Sequence, residues 1–322
     1  MTQANGINGH SESKPRKVYL FGHNLKRSYS PFLHNTIFRL LGIPYTYYRY
    51  ECSDVKEILP ITKQEDFGGS SVTMPNKVAI LKHCDDLTDE ARLVGACNTL
   101  FWRKEADGSR KLVGHNTDTF GVRDSFLKSG TPGVDSTGKP ALVVGGGGAS
   151  RSSPVYRAAV YALAQQLKCE PIYIVNRDVK EVEAMKADMP AFASKMKHIL
   201  TAEEANSLEA PVYIVSAIPC FPPKTPEEIA ARETLEAFLS KEKKGDLLEM
   251  CYNPHIWTDM CTIAQNKGWK IITGEVAMFW QGIEQQKVWL GLSDKDLPVD
   301  ETLRRVSEQI KTDNENHSDP PE

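Results

Sequence analysis

The residues best suited to chemistry in this chain are a run of glycines, one lysine, and hydroxyl, amide and carboxylate side chains that recur at the ends of short apolar runs. Gly145, Gly146, Gly147 and Gly148 follow the apolar run Ala141–Val144 and lead through Ala149, Ser150 and Arg151 into Val155–Leu167, where apolar residues recur at helical spacing. A strand that turns through glycines into a helix lets a diphosphate approach the amides of the helix N-terminus, where the peptide dipole favours an anion. This is the pattern of a dinucleotide site. Lys77 closes Val72-Thr73-Met74-Pro75-Asn76-Lys77, in the first turn of a helix that Pro75 opens. A cation there opposes the helix dipole, so the position reads either as an ordinary surface lysine or as a functional amine. Ser28 and Ser30 precede Pro31. Ser30 suits an N-cap and Pro31 the first helical position of a helix reaching about Leu41, and the two hydroxyls either cap and turn the chain or bind a small carboxylate. Asn98-Thr99 ends a run of small residues, and Asn116-Thr117-Asp118 reads as a turn and cap with the same side-chain types.

The elements that must position these groups are short. Val18–Phe21 and Tyr45–Tyr50 read as strands, Val55–Leu59 as a short helix, and the stretch from Gly68 to Lys77 as a strand leading into the helix that Pro75 opens. The second half alternates: strand Ile172–Val175, helix Val179–Met189, strand Val212–Ser216, helix Pro226–Leu239, strand Leu247–Met250, then Trp269–Thr273. Such alternation marks a parallel sheet covered by helices, hence an α/β protein. Residues 1–16 are polar and without period, a disordered tail; Asp300–Lys311 reads as a terminal helix, and Thr312–Glu322 as a second loose tail. With 322 residues, 40% hydrophobic, the chain is long enough for two domains, and a net charge of −3 favours neither nucleic acid nor an anionic membrane surface as partner. Seven cysteines without a Cys-x-x-Cys pair argue against a disulfide framework and a structural metal, and reduced thiols fit the cytoplasm. No apolar run has the length of a membrane span, and the polar N-terminus lacks the core of a signal peptide.

Five motifs stand in one order and spacing: Ser28-x-Ser30-Pro31-x-x-His34-Asn35, Val72-Thr73-x-Pro75-x-Lys77, Ala96-x-Asn98-Thr99, Asn116-Thr117-Asp118-x-x-Gly121 and Gly145-x-Gly147-Gly148-x-x-Arg151. In this the chain, from about Lys17 to Gly291, resembles the shikimate/quinate dehydrogenase family. The resemblance implies an N-terminal open twisted sheet (residues 17–124) that binds substrate, a Rossmann-like dinucleotide domain (125–273), and C-terminal helices (274–311) returning to the first. It implies Lys77 and Asp118 as the catalytic pair, Ser28 and Ser30 on the substrate carboxylate, and Thr73 and Asn98 on the ring hydroxyls beside that pair. Tyr252, in Tyr252-Asn253-Pro254, then lies near the cleft, and Gln281 reaches the substrate. The glycine loop from Gly145 to Ser150 takes the diphosphate, Asn176, Arg177 and Asp178 the adenosine side, and Ser216, Ala217 and Gly274 the nicotinamide side.

The substrate so implied is quinate, with shikimate next, and no metal is needed. NAD is expected, NADP not being excluded: Asp178 stands where family members using NADP commonly have Ser or Thr, and a carboxylate there either accepts from the ribose hydroxyl or caps the next helix. The chain departs from the family pattern at Ser71, where asparagine is common, at Ser216-Ala217-Ile218, where Asn-Ala-Thr is usual, and at Glu249, which replaces an aspartate. These departures keep two alternatives in view, an NADP-dependent shikimate dehydrogenase and a non-catalytic sensor of the same ligand; retention of both Lys77 and Asp118 speaks against the sensor. A monomer or homodimer is expected.

Overall fold

The computed structural model describes residues 14–145, 154–218, 223–252 and 255–316. They divide into two units, one made of the described residues up to Arg92, Ala96–Thr117 and everything from Gln281 on, the other of Leu93–Gly95 and Asp118–Trp280.

The first unit contains β1 (Arg16–Gly22), α1 (Ser30–Leu41), β2 (Tyr45–Glu51), α2 (Val55–Thr62), β3 (Phe67–Val72), α3 (Asn76–Ala79), β4 (Asp86–Leu87), α4 (Asp89–Val94), β5 (Thr99–Lys104) and β6 (Arg110–His115), with α4 ending in the second unit. The strands form one mixed sheet in the order β2-β1-β3-β5-β6-β4. β1 pairs in parallel with β2 and β3, so α1 and α2 serve as the crossovers that parallel neighbours require. β5 pairs antiparallel with both β3 and β6. Successive β1 side chains face opposite sides: Val18 and Leu20 pack with Phe38, Ile43 and Tyr47, whereas Phe21 packs with Ile58, Ile61, Phe67 and Val72. Each fully buried residue of this kind, Ile58 for example, stabilises the fold by roughly 1.5–3 kcal/mol. Gly42 stops α1 with φ of 65°, a left-handed cap that frees its N–H to bond the Arg39 carbonyl at 3.2 Å.

The second unit contains α5 (Asp118–Asp124), β7 (Ala141–Gly145), α6 (Pro154–Tyr161), β8 (Ile172–Asn176), α7 (Val179–Asp188), β9 (Met196–His198), α8 (Ala202–Ser207), β10 (Tyr213–Ala217), α9 (Pro226–Leu239), β11 (Asp246–Glu249), α10 (Asp259–Asn266), β12 (Lys270–Thr273) and the start of α11 (Gly274–Leu290). Its sheet runs β12-β11-β10-β7-β8-β9, parallel throughout. Counted from β7, this is the 3-2-1-4-5-6 order of dinucleotide folds, with its switch point between β7 and β10. Every residue of β7 and β8 is buried, as interior parallel strands must be when helices cover both faces. The helix Pro226–Leu239 has the bounds read from the sequence because three local signals agree: Thr225 and Glu228 form a capping box, and Pro226 takes the first helical position.

Elsewhere the structure corrects the sequence reading. Arg16, assigned to the N-terminal tail, starts β1. The terminal helix α12 (Val299–Asn316) continues past Lys311, because Thr302, Val306, Ile310 and Asp313 all lie buried on one stripe. α1 begins at Ser30 with Tyr29 as its cap, so Ser30 is not the N-cap, and Pro75, joined to Met74 by a cis bond, caps α3 from outside instead of taking its first helical position. The hairpin β5–β6 and the helices α4, α8 and α10 have no counterpart in that reading. No helix among the described residues is long and apolar enough to cross a membrane.

Candidate active site

In the first unit the expected site residues sit at the start of α1, between β3 and α3, on α3, just before β5 and on α11. Thr73 follows β3, its N–H donating to the Phe21 carbonyl at 2.8 Å. Lys77, on α3, is only 8% exposed, and its carbonyl accepts the Cys97 N–H at 2.8 Å, which ties it to the loop that carries Asn98. A lysine so covered is not the plain surface residue that its position at a helix start allows. The Ser30 N–H donates to the Ser28 hydroxyl at 3.3 Å, and the Ser28 carbonyl accepts from Arg49 at 3.0 Å.

A directed chain of hydrogen bonds links several of these groups. Tyr47 donates its phenol proton to Ser71 at 2.6 Å, and Ser71 donates to Oε1 of Gln285 at 3.0 Å. Gln285 Nε2 donates to Thr99 Oγ1 at 2.9 Å, and Thr99 to Asn98 Oδ1 at 2.7 Å. Asn98 Nδ2 donates to Thr117 Oγ1 at 2.9 Å, and that hydroxyl to Gln281 Oε1 at 3.1 Å. Asn98 and Gln281 are therefore brought together by one ordered network, whose direction turns the Gln281 oxygen toward Thr117. His34 joins it through Gln285 at 3.1 Å and Gln286 at 2.9 Å. Burial drives the His34 pKa down to about 3, so the ring is neutral, with Nε2 donating to Gln285 and Nδ1 accepting from Gln286.

Tyr47, Gln285 and Gln286 are the site residues that sequence reasoning missed. Nothing local signals them: 24 residues separate Tyr47 from Ser71, and 214 separate Ser71 from Gln285. Ser71 was visible only as a departure from the family's asparagine. Its hydroxyl both accepts and donates in this network, a pattern that a carboxamide of different shape would rearrange.

In the second unit Asp118 opens α5, directly after Thr117, whose N–H is held by Asn98 at 2.8 Å. Tyr252 lies near both Asp118 and Glu275; burial and these two carboxylates push its phenol up to about 12. Gly145 ends β7 at the switch point. A Cβ there would stand 3.0 Å from the Tyr156 ring and 3.1 Å from the Asn176 amide, so the strand end has room for backbone alone. Gly146, Gly147, Gly148, Ala149 and Ser150 lie outside the described residues, as do Asn253 and Pro254.

Asn176 ends β8, and its Oδ1 accepts the Asp178 N–H at 2.8 Å. Asp178 caps α7, its Oδ1 accepting from the Lys180 and Glu181 N–H groups at 2.8 and 3.4 Å. Arg177 pairs with Glu228 of α9. Ser216 and Ala217 end β10, the Ala217 carbonyl accepting from the Tyr156 phenol at 2.7 Å. Gly274 approaches the chain after β11 closely: a Cβ would meet the Met250 carbonyl at 2.6 Å. Glu249, fully buried, accepts from Ser216 Oγ at 2.8 Å and the Cys251 N–H at 3.0 Å, and burial pushes its carboxyl up to about 7.

A family model described as the shikimate dehydrogenase substrate binding domain matches residues 20–100. The quinate dehydrogenase of Emericella nidulans is 44% identical over 293 residues, 85% of this chain and 87% of that one. Among solved structures, the dehydroquinate dehydratase and shikimate dehydrogenase from S. pombe AroM superposes with a TM-score of 0.76 at 32% identity over 92% of this chain, which spans 53% of the yeast chain. A shikimate 5-dehydrogenase from Listeria monocytogenes, in complex with shikimate and NAD, gives a TM-score of 0.72 at 25% identity, covering 91% of this chain and 96% of its own.

Proposed function

The chain belongs to the shikimate/quinate dehydrogenase family, and on that premise we propose that it oxidises a ring hydroxyl of quinate to 3-dehydroquinate, and of shikimate to 3-dehydroshikimate, using a nicotinamide dinucleotide. The observation that carries the reading is the hydrogen-bond chain from Tyr47 to Gln281, which orders Asn98 and Gln281 beside the segment that anchors Lys77. Such a network positions a polyhydroxylated ring acid without reorganising when it binds. Ser28 and Ser30 bind the carboxylate, Thr73 and Asn98 the ring hydroxyls, and Gln281 and Tyr252 complete the substrate contacts. Lys77 accepts the proton of the reacting hydroxyl as general base, and Asp118 is the second member of the catalytic pair.

The second unit fits a dinucleotide in its sheet order, whose switch point lies beside β7, the strand that leads into the glycine run. When bound, the nicotinamide supplies the hydride acceptor. The Gly145–Ser150 loop holds the diphosphate, Asn176, Arg177 and Asp178 the adenosine ribose, and Ser216, Ala217 and Gly274 the nicotinamide side. NAD is favoured over NADP. The side-chain hydrogen bonds of Asp178 among the described residues fall on Oδ1. Capping α7 therefore does not prevent Oδ2 from accepting a ribose hydroxyl, while the charge opposes a 2′-phosphate. With a reduced-thiol composition, the enzyme acts in the cytoplasm.

Initial rates with quinate and shikimate, each crossed with NAD and NADP, test the reading. Turnover of at least one acid, faster with NAD, is expected; no turnover of either acid with either dinucleotide overturns it.

A further inference from the structure

Arg177 follows the second strand of the nucleotide unit, where an arginine accommodates a 2′-phosphate when one is present. Here its guanidinium is already engaged: Nη1 pairs with Oε1 of Glu228, a residue of the first turn of α9. Glu228 is fixed from its other side. Its Oε2 accepts the N–H groups of Lys224 and Thr225 at 2.7 and 3.0 Å, while its own N–H donates to Thr225 Oγ1 at 3.3 Å. Those amides, with Arg177, hold the carboxyl below the usual glutamate range, so it is charged at neutral pH. The side chains of Arg177 and Glu228 are 27% and 28% exposed, so solvent screens the pair only in part.

We propose that Glu228 is a specificity-determining residue for the dinucleotide: by pinning the Arg177 guanidinium to the start of α9, it withholds that cation from a 2′-phosphate. The inference rests on the reading that the end of β8 receives the adenosine ribose. A 2′-phosphate entering there must either break the Arg177–Glu228 pair or face the Asp178 carboxylate without that cation, whereas a ribose hydroxyl meets neither demand. A glutamate free to rotate away would exert little control. Glu228 cannot do so without giving up both amide bonds at the helix start.

The test measures kcat/KM for NAD and NADP, and by calorimetry the affinity for AMP and for adenosine 2′,5′-bisphosphate, in wild type, Glu228→Gln, Arg177→Gln and the double variant. Glu228→Gln keeps an oxygen for the two amides and removes the charge. It should raise the NADP-to-NAD ratio, and tighten the bisphosphate relative to AMP, by at least about tenfold. Arg177→Gln should cancel most of that gain in the double variant while changing the wild-type ratio little. Should Glu228→Gln fold poorly, Glu228→Asp, which retains a charged cap but shortens the reach to Arg177, should move both ratios the same way by a smaller factor. A wild type that prefers NAD, with ratios unmoved by either Glu228 substitution, overturns the inference and leaves the cofactor reading standing. An equal loss for both dinucleotides marks Glu228 as a helix cap alone and overturns it too. A wild type that prefers NADP overturns the cofactor reading itself, and the inference with it.

Discussion

Replacing Glu249 with Gln isolates a single buried proton and makes its effect on stability measurable. Glu249 ends β11 with no exposed surface, accepts two hydrogen bonds, and is still pushed up to about 7 because burial outweighs them. In the unfolded chain a glutamate returns to its ordinary value of 4.5. Between those values the unfolded chain has released a proton that the folded chain keeps, so stability must fall as pH rises through this window. Below about pH 4.5 both states are protonated and the contribution is fully present; above pH 7 both are ionised and it is lost. A shift of about 2.5 units at 1.36 kcal/mol each gives a loss of about 3 kcal/mol over the window.

The carboxamide introduced by Glu249→Gln carries no proton to lose. Thermal midpoints of the two proteins should therefore diverge from pH 5 to pH 8 in favour of the variant, by about 6–12 °C for a unit of this size. Taking the difference between variant and wild type at each pH removes the groups they share. A difference that stays constant from pH 5 to pH 8 would refute the reasoning: it would mean that the Glu249 carboxyl is solvated, or is ionised throughout.

Two further substitutions probe the first unit. Lys77→Ala should lower turnover by about 10²- to 10⁴-fold while leaving the thermal midpoint nearly unchanged, and near-normal turnover in a folded variant would remove Lys77 from the mechanism. Ser71→Ala takes away an acceptor for Tyr47 and a donor to Gln285 in a buried site. Denaturant unfolding should show a loss of about 1–3 kcal/mol, and the KM for the acid should rise; unchanged values of both would mean that the network does not order the site.

How much of this was legible depended on whether the signal was local. The Pro226–Leu239 helix was, since its cap, its proline and its acidic third residue stand within four positions of one another. The parallel sheet of the second unit was too, because β7 and β8 are apolar along their length. The hairpin β5–β6 was not, because its strands pass from buried at one end to exposed at the other and so never alternate. Its one signal was Asp107-Gly108 at the tip, where Gly108 adopts a φ of 85°. The far end of α12 was hidden for a different reason: Asp313 is buried, and its partner is Gln309, a polar pair that sequence pattern assigns to solvent.

The departures from the family pattern show the limit most directly. Taken singly, Ser216 in place of asparagine and Glu249 in place of aspartate each look like a loss at the nicotinamide side. In the structure they touch: the Ser216 hydroxyl donates to Glu249 Oε2 at 2.8 Å, between adjacent strands β10 and β11 in which the two residues are direct partners. The side chain that shortens faces the one that lengthens, so a hydrogen bond spans the same pair of positions with its reach redistributed. The third departure, Ser71, is likewise bonded on both sides. Substitutions that answer one another in space preserve a site's geometry while altering its charge and proton affinity. Here they leave a carboxyl at the end of β11 that burial pushes up to about 7.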